Sequence, residues 1–117
     1  MKLVSSVLLS LAVAVHAYDN GPLGATPPMG WSTWCTRDIC GLRDQCNAWE
    51  IKKRAHGLVD QGLAALGYKW LFLDDCWAET TRDAEGRLQG DLDHFPDGMK
   101  ELTDYVHGLG LYLSVYT

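Results

Sequence analysis

The chain has 117 residues, with ten Lys and Arg against fifteen Asp and Glu, for a formal net charge of −5 at pH 7. An acidic chain without a Lys/Arg cluster is a poor partner for nucleic acid or anionic membrane, and its length suits one small domain. Its five Trp and five Tyr fit either a core or a neutral ligand that can be stacked upon.

Met1 to Ala17 carries one positive charge at Lys2, an apolar run from Val7 to Val15 and the small-residue ending Val15-His16-Ala17. This is the pattern of a cleavable secretory signal peptide, and the run is far shorter than the roughly twenty residues of a bilayer-spanning helix. The expected mature chain, residues 18–117, has no membrane span. Export would place Cys35, Cys40, Cys46 and Cys76 in an oxidising compartment, so two disulfides and no free thiol are expected. A zinc site is disfavoured because Cys35, Cys40 and Cys46 contain no close Cys-x-x-Cys pair.

Tyr18 to Pro28, with its Gly and Pro residues, reads as a lead-in without regular structure. Met29 to Trp34 is a short strand weakened by Gly30, and Cys35 to Cys46 is a polar loop tied by its cysteines. A helix follows, capped by Asn47, with Glu50 three residues on completing the capping pattern. Ile51, Ala55, Leu58, Val59, Gly62, Leu63 and Leu66 share one face of it, and Gly67 ends it. Tyr68 to Leu73 is an apolar strand, expected to be covered on both faces, that closes on Asp74-Asp75-Cys76-Trp77.

After a polar loop from Ala78 to Asp97, Met99, Leu102, Tyr105, Val106 and Leu109 recur at helical spacing until Gly108 or Gly110. Leu111 to Tyr116 is a third strand. The order βαβαβ predicts an α/β fold of parallel strands joined by right-handed crossovers. Because the third strand would leave an unpaired apolar edge, the sequence reads as the first three βα steps of a larger fold, either a closed barrel or an open doubly wound sheet.

Asp74 and Asp75 fall at the C-terminal end of the second strand, with Trp34 and Tyr116 at the corresponding ends of the first and third. In both architectures that rim carries ligand and catalytic groups. Carboxylates accept hydrogen bonds from vicinal hydroxyls, and an indole packs on the C–H face of a pyranose, so the set points to a sugar. The bland alternative carries equal weight residue by residue: the Asp pair caps a loop, and Trp34 and Tyr116 are core. A metal role for the pair lacks further acidic or His residues at ligand spacing. An acid/base role is disfavoured because neighbouring side chains on a strand diverge. There is no Gly-rich phosphate loop and no Gly-x-Ser-x-Gly motif, and His56, His94 and His107 read as helix-surface or loop residues.

Thr26-Pro27-Pro28-Met29-Gly30-Trp31-Ser32-Thr33-Trp34, Leu66-Gly67-Tyr68 and Asp74-Asp75-Cys76-Trp77-Ala78 resemble glycoside hydrolase family 27, the α-galactosidase or melibiase group. The similarity continues through Arg82 to Leu88, Phe95 to Met99 and Asp104 to Leu111, in order and at similar spacing. It implies a (β/α)8 barrel, of which this chain would hold the N-terminal three βα steps, and retaining hydrolysis of terminal α-galactosyl groups without a cofactor. It further implies that Trp34 lines the galactose site, that Asp74 and Asp75 bind the hydroxyls on carbons 4 and 6, and that Tyr116 lines the pocket. The family's nucleophile follows a fourth strand in a Lys-x-Asp context and its acid/base lies farther on, so no catalytic residue is expected in this chain.

The resemblance also implies secretion or a vacuolar or lysosomal destination, and it leaves an α-N-acetylgalactosaminidase as an alternative. A truncated, non-catalytic galactose-binding product and an unrelated doubly wound binding domain are the other readings. In the family a Cys about five residues after the second Trp pairs with the Cys of Asp-Asp-Cys-Trp. Cys40 is the better match, suggesting Cys40–Cys76 with Cys35–Cys46; Cys35–Cys76 with Cys40–Cys46 stays open.

Overall fold

Residues 21, 24–34 and 45–117 are described in the computed structural model of the chain. The expected signal peptide, residues 1–17, and Cys35 and Cys40 lie outside them. The elements are β1 (Met29–Ser32), α1 (Ala48–Asp60), β2 (Tyr68–Leu73), α2 (Gly98–Gly108) and β3 (Tyr112–Val115), with short 3-10 turns at Ala64–Leu66 and Asp75–Trp77. The strands form one parallel sheet in the order β1-β2-β3, the expected βαβαβ course.

Alternation along β2 decides what each face does. Leu71 and Leu73 are buried and join Ile51, Ala55 and Leu58 of α1, Leu102 and Val106 of α2, and Leu111 in one core. The two helices lie side by side over that face, linked by Lys52 Nζ to Glu101 Oε1 at 2.9 Å and by His56 Nε2 to the Tyr105 hydroxyl at 2.6 Å. Trp70 and Phe72 project to the other face, where Trp70 stacks with Phe72 and tilts against Tyr112. Both are only half-buried. The expectation that this strand is covered on both faces therefore holds for the helix side alone among the described residues.

Helix α1 begins as the sequence suggests, with Asn47 Oδ1 accepting the Glu50 N–H at 3.0 Å. Glu50 itself turns toward Arg54, Oε2 to Nη2 at 3.5 Å, rather than back toward the cap. The helix also ends earlier than expected. Gly62 adopts φ +75°, a left-handed turn that takes the chain out of the helix, and Gly67, at φ +100°, closes the following 3-10 turn instead of α1. Gly62 and Leu66 thus leave the apolar face, and Leu66 is 71% exposed.

Gly30 has a reason to be glycine that propensity alone does not reveal. Its backbone lies so close to β2 that a Cβ there would stand 1.8 Å from the Trp70 carbonyl oxygen, beside a register irregularity between Met29 and Gly30. The obstacle is backbone, so it cannot rotate away. Gly30→Ala is expected to destabilise the protein by about 1–3 kcal/mol through overpacking. An unchanged urea midpoint would show that β1 can move away from β2 at little cost.

Candidate functional site

In a parallel sheet of this kind all strands end at one edge, and the alternation of side chains sorts those ends into two faces. Leu71, Leu73 and Leu113 belong to the helix side. Ser32, Phe72 and Ser114, which are register partners across the three strands, belong to the open side. Two residues farther along each strand stand Trp34, Asp74 and Tyr116. Three of the four expected sugar-site residues therefore fall in one row at the C-terminal edge.

Asp74 and Tyr116 share a groove. With Phe72, Leu73, Ser114 and Val115 they line a shallow groove of about 220 Å³, smaller than a complete small-molecule pocket. Tyr116 is held there by its backbone: its N–H donates to the Leu73 carbonyl at 2.8 Å, which continues the β2–β3 ladder one residue past β3. Trp34 stands at the same edge, 70% exposed, with its N–H donating to Ser32 Oγ at 3.0 Å; it does not line the groove. Asp75 starts the 3-10 turn, is exposed and lies outside the groove too.

The two acids have different local roles. The Asp74 carboxylate accepts the Asp75 N–H at 2.9 Å through Oδ1 and so caps the turn Asp75–Trp77. Capping and ligand binding are compatible, because a carboxylate has two oxygens and several acceptor directions. A capping interaction occupies only part of that capacity.

The cysteine expectations need correction. Cys46 pairs with Cys76, Cα to Cα 6.1 Å, whereas both readings from the sequence joined Cys76 to Cys40 or to Cys35. The physical reason is the crossover geometry. A helix returning between parallel strands begins at their C-terminal edge, so Cys46, one residue before the α1 cap and 1% exposed, lies beside the turn that follows β2. Among the described residues no cysteine is free.

Two further residues hold the site, and sequence reading passed over both. Thr33, buried at 3% exposure, receives the Asp74 N–H on Oγ1 at 2.8 Å. Trp77, in the core, donates its indole N–H to the Tyr116 carbonyl at 2.8 Å, bridging the turn after β2 to the end of β3. A Trp so close behind an acidic strand end, with a polar atom that needs a buried partner, was the available signal. Trp77→Phe is expected to leave that carbonyl short of a partner and to lower unfolding stability by about 1–3 kcal/mol. Chemical denaturation checks this, and an unchanged midpoint would mean that water replaces the indole.

The segment between Trp77 and α2 is polar but ordered. Ala78 bridges Gly90 in antiparallel fashion, and the Asp91 N–H returns to the Trp77 carbonyl at 2.9 Å, so both ends of the loop close on Trp77. At its tip the Asp83 carboxylate accepts from the backbone of Glu85 and Arg87, from Arg87 Nε at 2.7 Å and from Gln89 Nε2 at 3.0 Å. Arg87, through its backbone and then its side chain, holds the Asp83 carboxyl below its ordinary pKa, and His94 does the same for Asp91.

The melibiase family model described as alpha galactosidase A matches residues 26–117. An α-galactosidase of Oryza sativa subsp. japonica is 46% identical over 102 residues, covering 87% of this chain and 23% of that protein. An α-N-acetylgalactosaminidase of Gallus gallus is 44% identical over 104 residues, covering 84% of this chain and 25% of that protein. The crystal structure of α-galactosidase I from Mortierella vinacea superposes with a TM-score of 0.72 at 35% identity, covering 85% of this chain and 24% of that one. The chain thus spans about a quarter of the length of these relatives.

Proposed function

Since the chain belongs to the α-galactosidase family, glycoside hydrolase family 27, we propose that it supplies part of the sugar-binding rim of a retaining glycosidase that releases terminal α-linked galactose. The observation that carries this reading is the groove in which a carboxylate, Asp74, and a phenol, Tyr116, converge from adjacent parallel strand ends. Trp34 supplies an indole face at the same edge and Asp75 a second carboxylate on the next turn. Asp74 and Asp75 take the hydroxyls on carbons 4 and 6. The three strands are the first βα steps of a (β/α)8 barrel, and the open face bearing Trp70, Phe72 and Tyr112 is turned to its interior. That reading gives a purpose to large apolar side chains left partly exposed on the face that α1 and α2 do not cover.

The retaining reaction needs two carboxyl groups about 5 Å apart on opposite sides of the anomeric carbon. Asp74 and Asp75 are consecutive residues of one strand end, one capping the turn that the other begins, and both belong to substrate binding. The nucleophile and the acid/base are contributed from outside these 117 residues. The protein is exported through the secretory pathway by residues 1–17.

The product of the complete open reading frame that contains this chain is expected to hydrolyse a chromogenic α-galactoside and to yield galactose with retained configuration. Residues 18–117 alone are expected to show no turnover above background. Turnover by that segment, abolished by Asp74→Asn with Asp75→Asn, would place the catalytic pair inside the chain. The similarity to an α-N-acetylgalactosaminidase favours a second substrate, so the corresponding N-acetylgalactosaminide belongs in the same assay; a strong preference for it would reassign the specificity and keep the site.

A further inference from the structure

We infer that Thr33 is a positioning residue for the sugar site, acting through Asp74; this inference rests on the galactoside reading above. Thr33 cannot touch the substrate itself. It is 3% exposed and lies on the helix side of the alternation that sends Ser32 and Trp34 the other way.

Its hydroxyl makes two contacts with the turn that carries the carboxylates. Oγ1 accepts the Asp74 N–H at 2.8 Å and lies 3.3 Å from Cys76 Sγ. Because Cys76 is oxidised in the bond to Cys46, its sulfur has no proton, so in the second contact the threonine hydroxyl is the donor. One side chain at the end of β1 therefore grips both the first and the third residue of Asp74-Asp75-Cys76. The Thr33 N–H in turn donates to the Phe72 carbonyl at 2.9 Å, so the grip is itself anchored in the β1–β2 ladder.

The consequence falls on one carboxylate. The peptide entering Asp74 is fixed by Thr33, and the peptide leaving it is fixed by its own Oδ1. Between these two restraints the Cα–Cβ direction is set, and Oδ2 is left as the oxygen for a sugar hydroxyl. Loss of the first restraint lets the acid shift by fractions of an ångström while its chemistry stays the same. A small misplacement of a binding group is enough to slow an oriented reaction substantially.

The test uses the complete gene product. Thr33→Val keeps the shape and removes the hydroxyl; it is expected to lower kcat/KM on an α-galactoside by about tenfold. Thr33→Ser restores the hydroxyl and is expected to stay within about twofold of the unmodified protein. In an Asp74→Asn background Thr33→Val should lower kcat/KM no further, since the group it positions has already been disabled. Independently of turnover, amide-hydrogen exchange at Asp74 should be slow in the unmodified protein and in Thr33→Ser and fast in Thr33→Val. Losses that multiply in the double variant, or a serine variant no better than valine, overturn the positioning role. A protein inert to galactosides overturns the functional reading instead, and is told apart because Asp74 exchange still responds to Thr33→Val.

Discussion

Asp74→Asn in the complete gene product is expected to lower kcat/KM for a terminal α-galactoside by about ten- to more than a hundredfold, the rate equivalent of a charge-assisted hydrogen bond of about 1.5–3 kcal/mol made in the transition state. The substitution is informative because it separates the two roles of this residue. Asparagine keeps a carbonyl oxygen able to accept the Asp75 N–H, and it caps turns and helices as well as aspartate does, so the turn Asp75–Trp77 keeps its cap. What changes is the other side of the group, where an NH2 replaces an acceptor and presents a donor to the donor hydroxyl of the sugar. Unfolding stability should therefore stay near that of the unmodified protein while turnover falls. Asp74→Ala, which removes cap and acceptor together, should lose both. If Asp74→Asn retains near-normal kcat/KM, Asp74 is only a turn cap, and the sugar contacts must be sought at Asp75 or elsewhere on the rim.

The comparison with Asp75→Asn then carries further weight. Both acids were indistinguishable in the sequence, being adjacent at one strand end. The structure places Asp74 in the groove with Tyr116 and leaves Asp75 exposed on the following turn. A loss for both variants supports two carboxylates reading two hydroxyls, whereas a loss for Asp74→Asn alone confines recognition to the groove as it stands among the described residues.

The parts of this molecule that were legible in the sequence are those governed by local rules. Tyr68 to Leu73 is a strand with the expected bounds because its run is mostly apolar, Lys69 apart, and Gly67 precedes it, and Asn47 caps α1 because its side chain and Glu50 stand at the right offset. The C-terminal ends of three parallel strands follow from the βαβαβ order, and they bring Asp74 and Tyr116 into one groove. The errors came from tertiary closeness. The end of α1 depends on Gly62 entering a left-handed turn, which a helical spacing of apolar residues conceals. Thr33 and Trp77 matter through bonds across 41 and 39 residues of sequence, and nothing in their neighbourhood announces the partner. The need for glycine at position 30 comes from the backbone of another strand.

The cysteine pairing illustrates the same limit and leads to the second large effect. The family resemblance favoured Cys40 as the partner of Cys76, yet topology places the residue just before α1 at the edge where the post-β2 turn emerges, and there Cys46 is found. Non-reducing tryptic mapping distinguishes the possibilities directly, since Cys46 falls in peptide 44–52, Cys76 in 70–82 and Cys40 in 38–43. The linked pair 44–52 with 70–82 is the expected product; a link from 70–82 to 38–43 would reject the Cys46–Cys76 bond. Given that bond, the double variant Cys46→Ala with Cys76→Ala should destabilise the protein by about 3.5 kcal/mol on the chain-entropy model for a sequence separation of 30. Alanine is preferable to serine because Cys46 is 1% exposed, and a hydroxyl there would add the separate penalty of a buried, unpaired polar group. The loss should exceed that of Trp77→Phe, and reductant should lower the denaturation midpoint of the unmodified protein by more than that of the double variant. The site should respond as well, because the bond holds the third residue of Asp74-Asp75-Cys76 to the start of α1. Should the double variant unfold at the same denaturant concentration as its parent, the turn owes its position to its hydrogen bonds, those of Thr33 and Trp77 among them, and not to the disulfide.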